Sequence, residues 1–151
     1  MPRFHDPSLV LPAQKRLSVL FAAAGIFLIG ISVRQFVELP VGNPKLLTDM
    51  ELPIRGLIIF LFQTLPGVYL LVASKGVRCG REWAKDGALA AYIVAAIFVQ
   101  IDMIVAGSLY LPGFYHDGYA FVFILALTVL IILGYIDLEL AERHRKRRTE
   151  R

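Results

Sequence analysis

Four apolar stretches constrain this chain more than any other feature. Leu17–Val33 contains no charge. Ile54–Ser74 carries Arg55 only at its start, with Gln63 as its main interior polar residue. Ala88–Leu111 holds Gln100 and Asp102, and Tyr119–Leu138 is almost wholly aliphatic and aromatic. A helix rising 1.5 Å per residue needs about 20 residues to cross a hydrocarbon core of about 30 Å. All four stretches meet that length, the first if it continues through Arg34 and Phe36 towards Pro40. The expected spans are therefore 17–37, 54–74, 88–111 and 119–138. None shows the alternation of a barrel strand, so helices are the spanning form. Composition agrees: 57% of the 151 residues are apolar and the mean hydropathy is +0.64. A single soluble domain has too little interior to hide that much apolar surface.

The punctuation between the stretches supports an all-α bundle of four transmembrane helices. Pro40, Pro44 and Pro53 with Gly42 and Asn43 predict a non-helical first connection. Lys75–Arg81 reads as a short basic turn, and Pro112-Gly113 with Asp117-Gly118 predicts the last one. Orientation follows from the basic residues. The two termini and the middle connection carry thirteen Lys and Arg, whereas the other two connections carry three, namely Arg34, Lys45 and Arg55. The positive-inside rule then predicts both termini and the middle turn in the cytoplasm, with a bacterial cytoplasmic membrane as the expected location. Trp83, Tyr110, Phe114, Tyr115 and Tyr119 fall near the expected boundaries, where an aromatic belt belongs.

Two terminal features have competing readings. Lys15-Arg16 ahead of an apolar run resembles a secretory leader, with Gly30-Ile31-Ser32 as a small-x-small site. The run is long for such a leader, so the segment is expected to be retained as a span. The carboxyl-terminal 139–151 is read as a basic cytoplasmic tail. Its Arg and Lys run resembles a nucleic-acid patch, but on a four-pass chain it serves as a topology anchor that touches anionic lipid, with no nucleic acid expected.

Few polar residues interrupt the spans, and Asp102 is the most informative. An ionisable group inside a spanning helix costs about 2.5–3.5 kcal/mol on insertion scales and so faces a partner or a water-filled cavity. Counting from Pro112 and Pro53 puts Asp102 and Gln63 at one level, about 15 Å below the outer boundary. Gln100 lies slightly deeper, Thr128 falls near the same level, and the long side chain of Arg34 comes within reach. Gln100 points away from Asp102 around the helix. Either Asp102 pairs with Arg34 or Gln63 and fixes which helices meet, or it holds a proton, cation or ligand. His116 and Asp117, in the outer turn, would complete the mouth of such a site, though a solvated loop pair is the favoured reading.

Small residues mark where helices approach. Gly87, Ala91 and Ala95 recur every fourth residue, as do Ser18 and Ala22. Asp102 lies seven positions after Ala95, which puts it on that same packed face. Tyr119–Leu138 has no such stripe and is expected to face lipid or another subunit.

No catalytic constellation, metal-ligand spacing or phosphate loop is present, and neither enzyme activity nor a cofactor is expected. His5 and His144 lie in the polar tails and form no ligand cluster. The single cysteine, Cys79, excludes an intramolecular disulfide. The stretch Gly67–Lys85 (GVYLLVASKGVRCGREWAK), a helix entering a short basic turn, resembles small bacterial DoxX-type four-helix membrane proteins. That likeness covers under a fifth of the chain. Small multidrug transporters also have four helices, but their pattern places a glutamate in the first, and Leu17–Val33 has none. The expectation is a non-enzymatic accessory or assembly subunit, or a DoxX-like small membrane protein, as a homo-oligomer or within a larger membrane complex. The alternative is a small transporter or channel component that uses Asp102.

Overall fold

The computed structural model describes residues 12–38, 51–109 and 118–149. It is helical throughout these segments. Helix α1 spans Pro12–Glu38, with Pro12 at the first helical position, where a missing N–H costs nothing. Helix α2 spans Glu51–Ile59, a π-helical turn follows at Phe60–Thr64, and α3 spans Leu65–Arg78. Both residues flanking the π turn, Ile59 and Leu65, keep helical dihedrals, so α2, the π turn and α3 form one continuous rod. Helices α4 (Glu82–Leu109) and α5 (Gly118–Thr149) complete the bundle. Among the described residues, four helices are long and apolar enough to cross a membrane.

Helix α1 packs against α3 on one side and α5 on the other, and α4 closes the ring by touching α3 and α5. The core is a column of Leu17, Phe21, Ala24 and Leu28 from α1, Leu70, Ala73 and Val77 from α3, and Ala84, Ala88, Ala95 and Val99 from α4, joined by Ile124, Ile131 and Leu138 of α5. Outside it, large apolar side chains such as Ile26, Val72, Val94, Val129 and Leu133 are exposed. A water-soluble bundle would not carry such a continuous apolar exterior, whereas a lipid-facing one requires it.

Helices α1 and α3 approach closely. A Cβ on Gly25 would sit 2.7 Å from the Gly67 carbonyl oxygen, and one on Gly67 would sit 2.9 Å from Ile29 Cγ1. Without side chains at this crossing, the two backbones come into direct contact, which apolar packing in lipid rewards. The expected small-residue stripes are only part of this picture. Ser18 and Ala95 are buried, Ala22 and Ala91 are half-buried, a Cβ on Gly87 would run into the Tyr69 hydroxyl, and Gly25, seven residues after Ser18, continues the α1 face.

Several boundaries differ from the sequence reading. Pro53 stands inside the first turn of α2, since a proline there lacks only an N–H that has no helical acceptor. Helix α3 runs on to Arg78, so the basic turn shrinks to Cys79–Arg81. Gly80 adopts φ +70°, its N–H bonds the Val77 carbonyl at 3.0 Å, and the Arg81 N–H bonds the Gly76 carbonyl at 3.0 Å. This pair of bonds is a Schellman cap, and glycine is what permits its left-handed residue. Helix α5 continues to Thr149, so most of the basic tail extends the last helix. Lys85, counted above with the middle turn, is instead buried on the first turns of α4.

Candidate functional site

The polar side chains within the bundle form tiers at different heights. Counting along α4 from Glu82, Asp102 lies about 30 Å along the helix and about 10 Å beyond its midpoint. It therefore occupies the last third of α4. There the Gln35 Nε2 donates to Asp102 Oδ2 at 2.9 Å, joining α1 to α4. Asp102 is half-buried and Gln35 is buried. Arg34 precedes Gln35 on α1 and is exposed.

One turn further in, Ser32 and Gln63 meet. The Ser32 hydroxyl lies 2.9 Å from the Leu28 carbonyl and 3.3 Å from Gln63 Oε1, so its one proton is shared between two acceptors. Gln63 is fully buried and belongs to the π turn. The turn has a local cause. Pro66 lacks the N–H that would bond the Phe62 carbonyl, and its ring crowds that carbonyl. The ladder answers by widening, with the Leu65 N–H bonded to the Phe60 carbonyl five residues back. The widened turn is the segment that carries Gln63 against α1. On the same turn Phe62 stacks on Phe98 of α4 at 4.9 Å, tying the π turn to the helix that bears Asp102.

These outer groups are not fully satisfied. Gln35 Oε1, Gln63 Nε2 and Thr64 Oγ1 are buried with no hydrogen-bond partner among the described residues. A buried polar atom left unpaired costs about 1–3 kcal/mol, and native proteins tolerate few. Three such atoms on adjoining turns of α1 and the π turn distinguish this tier from the rest of the bundle.

Nearer the middle, Tyr92 of α4 meets Thr128 of α5. The two hydroxyls are 2.9 Å apart, and Thr128 donates back to the Ile124 carbonyl at 2.7 Å. At the end of the bundle that holds the α3–α4 turn, Lys85 Nζ bonds Glu139 at 2.5 Å and Glu142 at 3.1 Å across to α5. Its ammonium also lies 5.5 Å from the Tyr135 ring centre, and the Tyr135 hydroxyl donates to Asp86 at 2.8 Å. Arg143 approaches Glu139 at 3.9 Å.

The structure thus divides the residues singled out from sequence. Asp102 does face protein, but its bond to Gln35 was missed. Gln63 is buried as a polar residue of the packed face, yet its partner is Ser32. Thr128 belongs to the Tyr92 pair and not to the Asp102 level. Gln100 is half-buried and makes no hydrogen bond among the described residues. His116 and Asp117 lie outside the described residues. Two signals could have found the missing partners. Ser32 and Gln35 are three apart on one face of α1 and share Asp102's height. Glu139 and Glu142 are likewise three apart, an acidic pair at the threshold of a basic run, poised for a buried cation.

No family model matches the chain, and no curated protein or solved structure matches it.

Proposed function

We propose that this chain is a multi-pass membrane protein with both termini in the cytoplasm, acting without catalysis as an assembly or accessory subunit that offers α5 to another membrane protein or to a second copy. One observation carries this reading. The described polar bonds fasten helix to helix inside the bundle, while α5 buries only 22% of its most apolar window, against 39% for α1 and α4. Helix α5 is therefore the least used face of the four, and it continues as a helix into the basic segment that would meet anionic lipid.

The test uses Cys79, which is exposed in the α3–α4 turn. A membrane-impermeant maleimide applied to intact cells should leave it unlabelled and react once the membrane is opened. Labelling from outside would reverse the orientation. In a Cys79→Ser background, Val129→Cys and Leu133→Cys on α5 should give disulfide-linked adducts in native membranes, and Val94→Cys and Ile97→Cys on α4 should not. All four positions are exposed in the single chain, so absence of adducts at α5 would mean lipid alone covers it.

A second reading, a small transporter or channel component using Asp102, is favoured by the unpaired Gln35 Oε1 and Gln63 Nε2 beside that carboxylate's tier. It predicts that Asp102→Asn abolishes a flux that wild-type protein supports in proteoliposomes, with folding retained.

A further inference from the structure

We propose that the face shared by α1 and α3, at the end that holds the α3–α4 turn, is a binding site for an anionic phospholipid. The proposal rests on the reading of this chain as a membrane protein, and on neither its orientation nor the use made of α5. It concerns a different surface from the basic segment of α5.

Charge at this end is divided between two sides. Its acidic residues among those described, Glu82, Asp86, Asp137, Glu139 and Glu142, all stand on α4 and α5. There they balance cations, since Lys85 and Arg143 are each paired with Glu139. Helices α1 and α3 bring only cations to the same end, Lys15 and Arg16 from α1 and Lys75 and Arg78 from α3, and Arg81 follows in the turn. All of these are exposed, and none makes an ion pair among the described residues. The fold also brings them near one another. A Cβ on Gly80 would lie 3.3 Å from Gln14 Nε2, which sets the start of α1 against the turn, with Lys15 the next residue.

This uncompensated charge stands at the head of an apolar strip. Leu65, Val68, Val72 and Lys75 recur at helical spacing and share one side of α3, and the first three are exposed. The strip is about 15 Å long, the depth of one leaflet of a hydrocarbon core of about 30 Å. Trp83 borders it from α4, with its Cζ2 3.5 Å from where a Cβ on Gly76 would stand. An acyl chain along the strip sets its phosphate among the cations. The Arg78 guanidinium can present two N–H groups to the two unesterified phosphate oxygens, and the stem of Lys75 reaches along apolar surface to the same level. A zwitterionic headgroup carries its own ammonium, which unpaired cations repel, so the surface selects a headgroup of net negative charge.

Trp83 is the only tryptophan in the sequence and serves as the reporter. The full chain is reconstituted in mixed phosphatidylcholine and phosphatidylglycerol bilayers, with one lipid or the other brominated on its upper acyl carbons. Quenching of Trp83 fluorescence then reports which lipid lies beside it. At low salt phosphatidylglycerol should outcompete phosphatidylcholine by about fivefold, the effect of roughly one well-placed cation. Lys75→Gln with Arg78→Gln should bring that ratio near one. Arg143→Gln with Arg147→Gln removes as much charge from α5 and should leave the ratio near its wild-type value. Equal quenching by the two lipids in wild type, or an equal fall in both double variants, overturns the inference, because enrichment is then absent or spread around the bundle. An Ile26→Trp, Trp83→Phe chain, whose reporter stands at an exposed position of α1, separates this failure from that of the membrane reading. Brominated lipid that quenches at position 26 and not at Trp83 means that protein covers the α3 face, and overturns the inference alone. Quenching at neither position removes the membrane reading with it.

Discussion

The two ends of this bundle use polar side chains in opposite ways. At the end with the α3–α4 turn, a buried ammonium is matched by two carboxylates and an aromatic face, and the neighbouring tyrosine is matched by Asp86. At the other end, Gln35, Gln63 and Thr64 each keep a buried atom without a partner among the described residues. The difference is one of completeness. A closed network ties α4 to α5 and has little left to offer a ligand. An open one joins α1, the π turn and α4 and leaves those atoms unpaired among the described residues. Position along α4 sharpens the contrast, since Lys85 stands only about 5 Å from Glu82, whereas Asp102 is about 30 Å along.

The largest effect is expected at the seam that keeps both ends in register. Gly25→Val would force a Cβ to within 2.7 Å of the Gly67 carbonyl, a backbone atom that cannot swing aside. Helices α1 and α3 would have to part, at a cost of about 3 kcal/mol or more in reversible unfolding from detergent, and both polar ends should loosen together. A loss under about 0.5 kcal/mol would mean that the crossing is more forgiving than its geometry implies. A step down in effect lies Lys85→Met, which keeps the length of the side chain and removes its charge. Glu139 and Glu142 would face each other without a cation. Because their side chains are 31% and 36% exposed, water offsets part of the penalty, and a loss of roughly 1–3 kcal/mol is expected. The loss should shrink when Glu139→Gln and Glu142→Gln are added, since the uncompensated charges then disappear.

The four-helix plan was legible because hydropathy over a whole span is a sum of many small contributions, and no single residue can reverse it. The inside-basic pattern adds in the same way. Individual pairings were harder to read, since each depends on a rotation of one helix about its axis. Gln63 shows why. Its direction is set by the π turn, which Pro66 induces three residues later, and a regular helix assumed through that region turns Gln63 to a different heading. Asp102 stands about 30 Å along α4 because that helix begins at Glu82, six residues before the expected start. The Lys85 cluster was hidden by chemistry that looks like topology, as a lysine close to a basic turn reads as one more inside charge until α5 supplies its carboxylates.

The central claim is that the Lys85 end fastens the bundle while the Gln35–Gln63 tier adds little to its stability, and one pairwise measurement tests it. Unfolding free energies of Gln63→Leu and Lys85→Met would be compared with wild type in the same lipid–detergent mixture. Leucine nearly matches glutamine in volume and removes both the orphaned donor and the weak Ser32 contact, so Gln63→Leu should change stability by less than about 0.5 kcal/mol or increase it, while Lys85→Met is destabilising. Loss of stability in Gln63→Leu equal to that in Lys85→Met would show that the outer tier is fastening too, and would contradict the account.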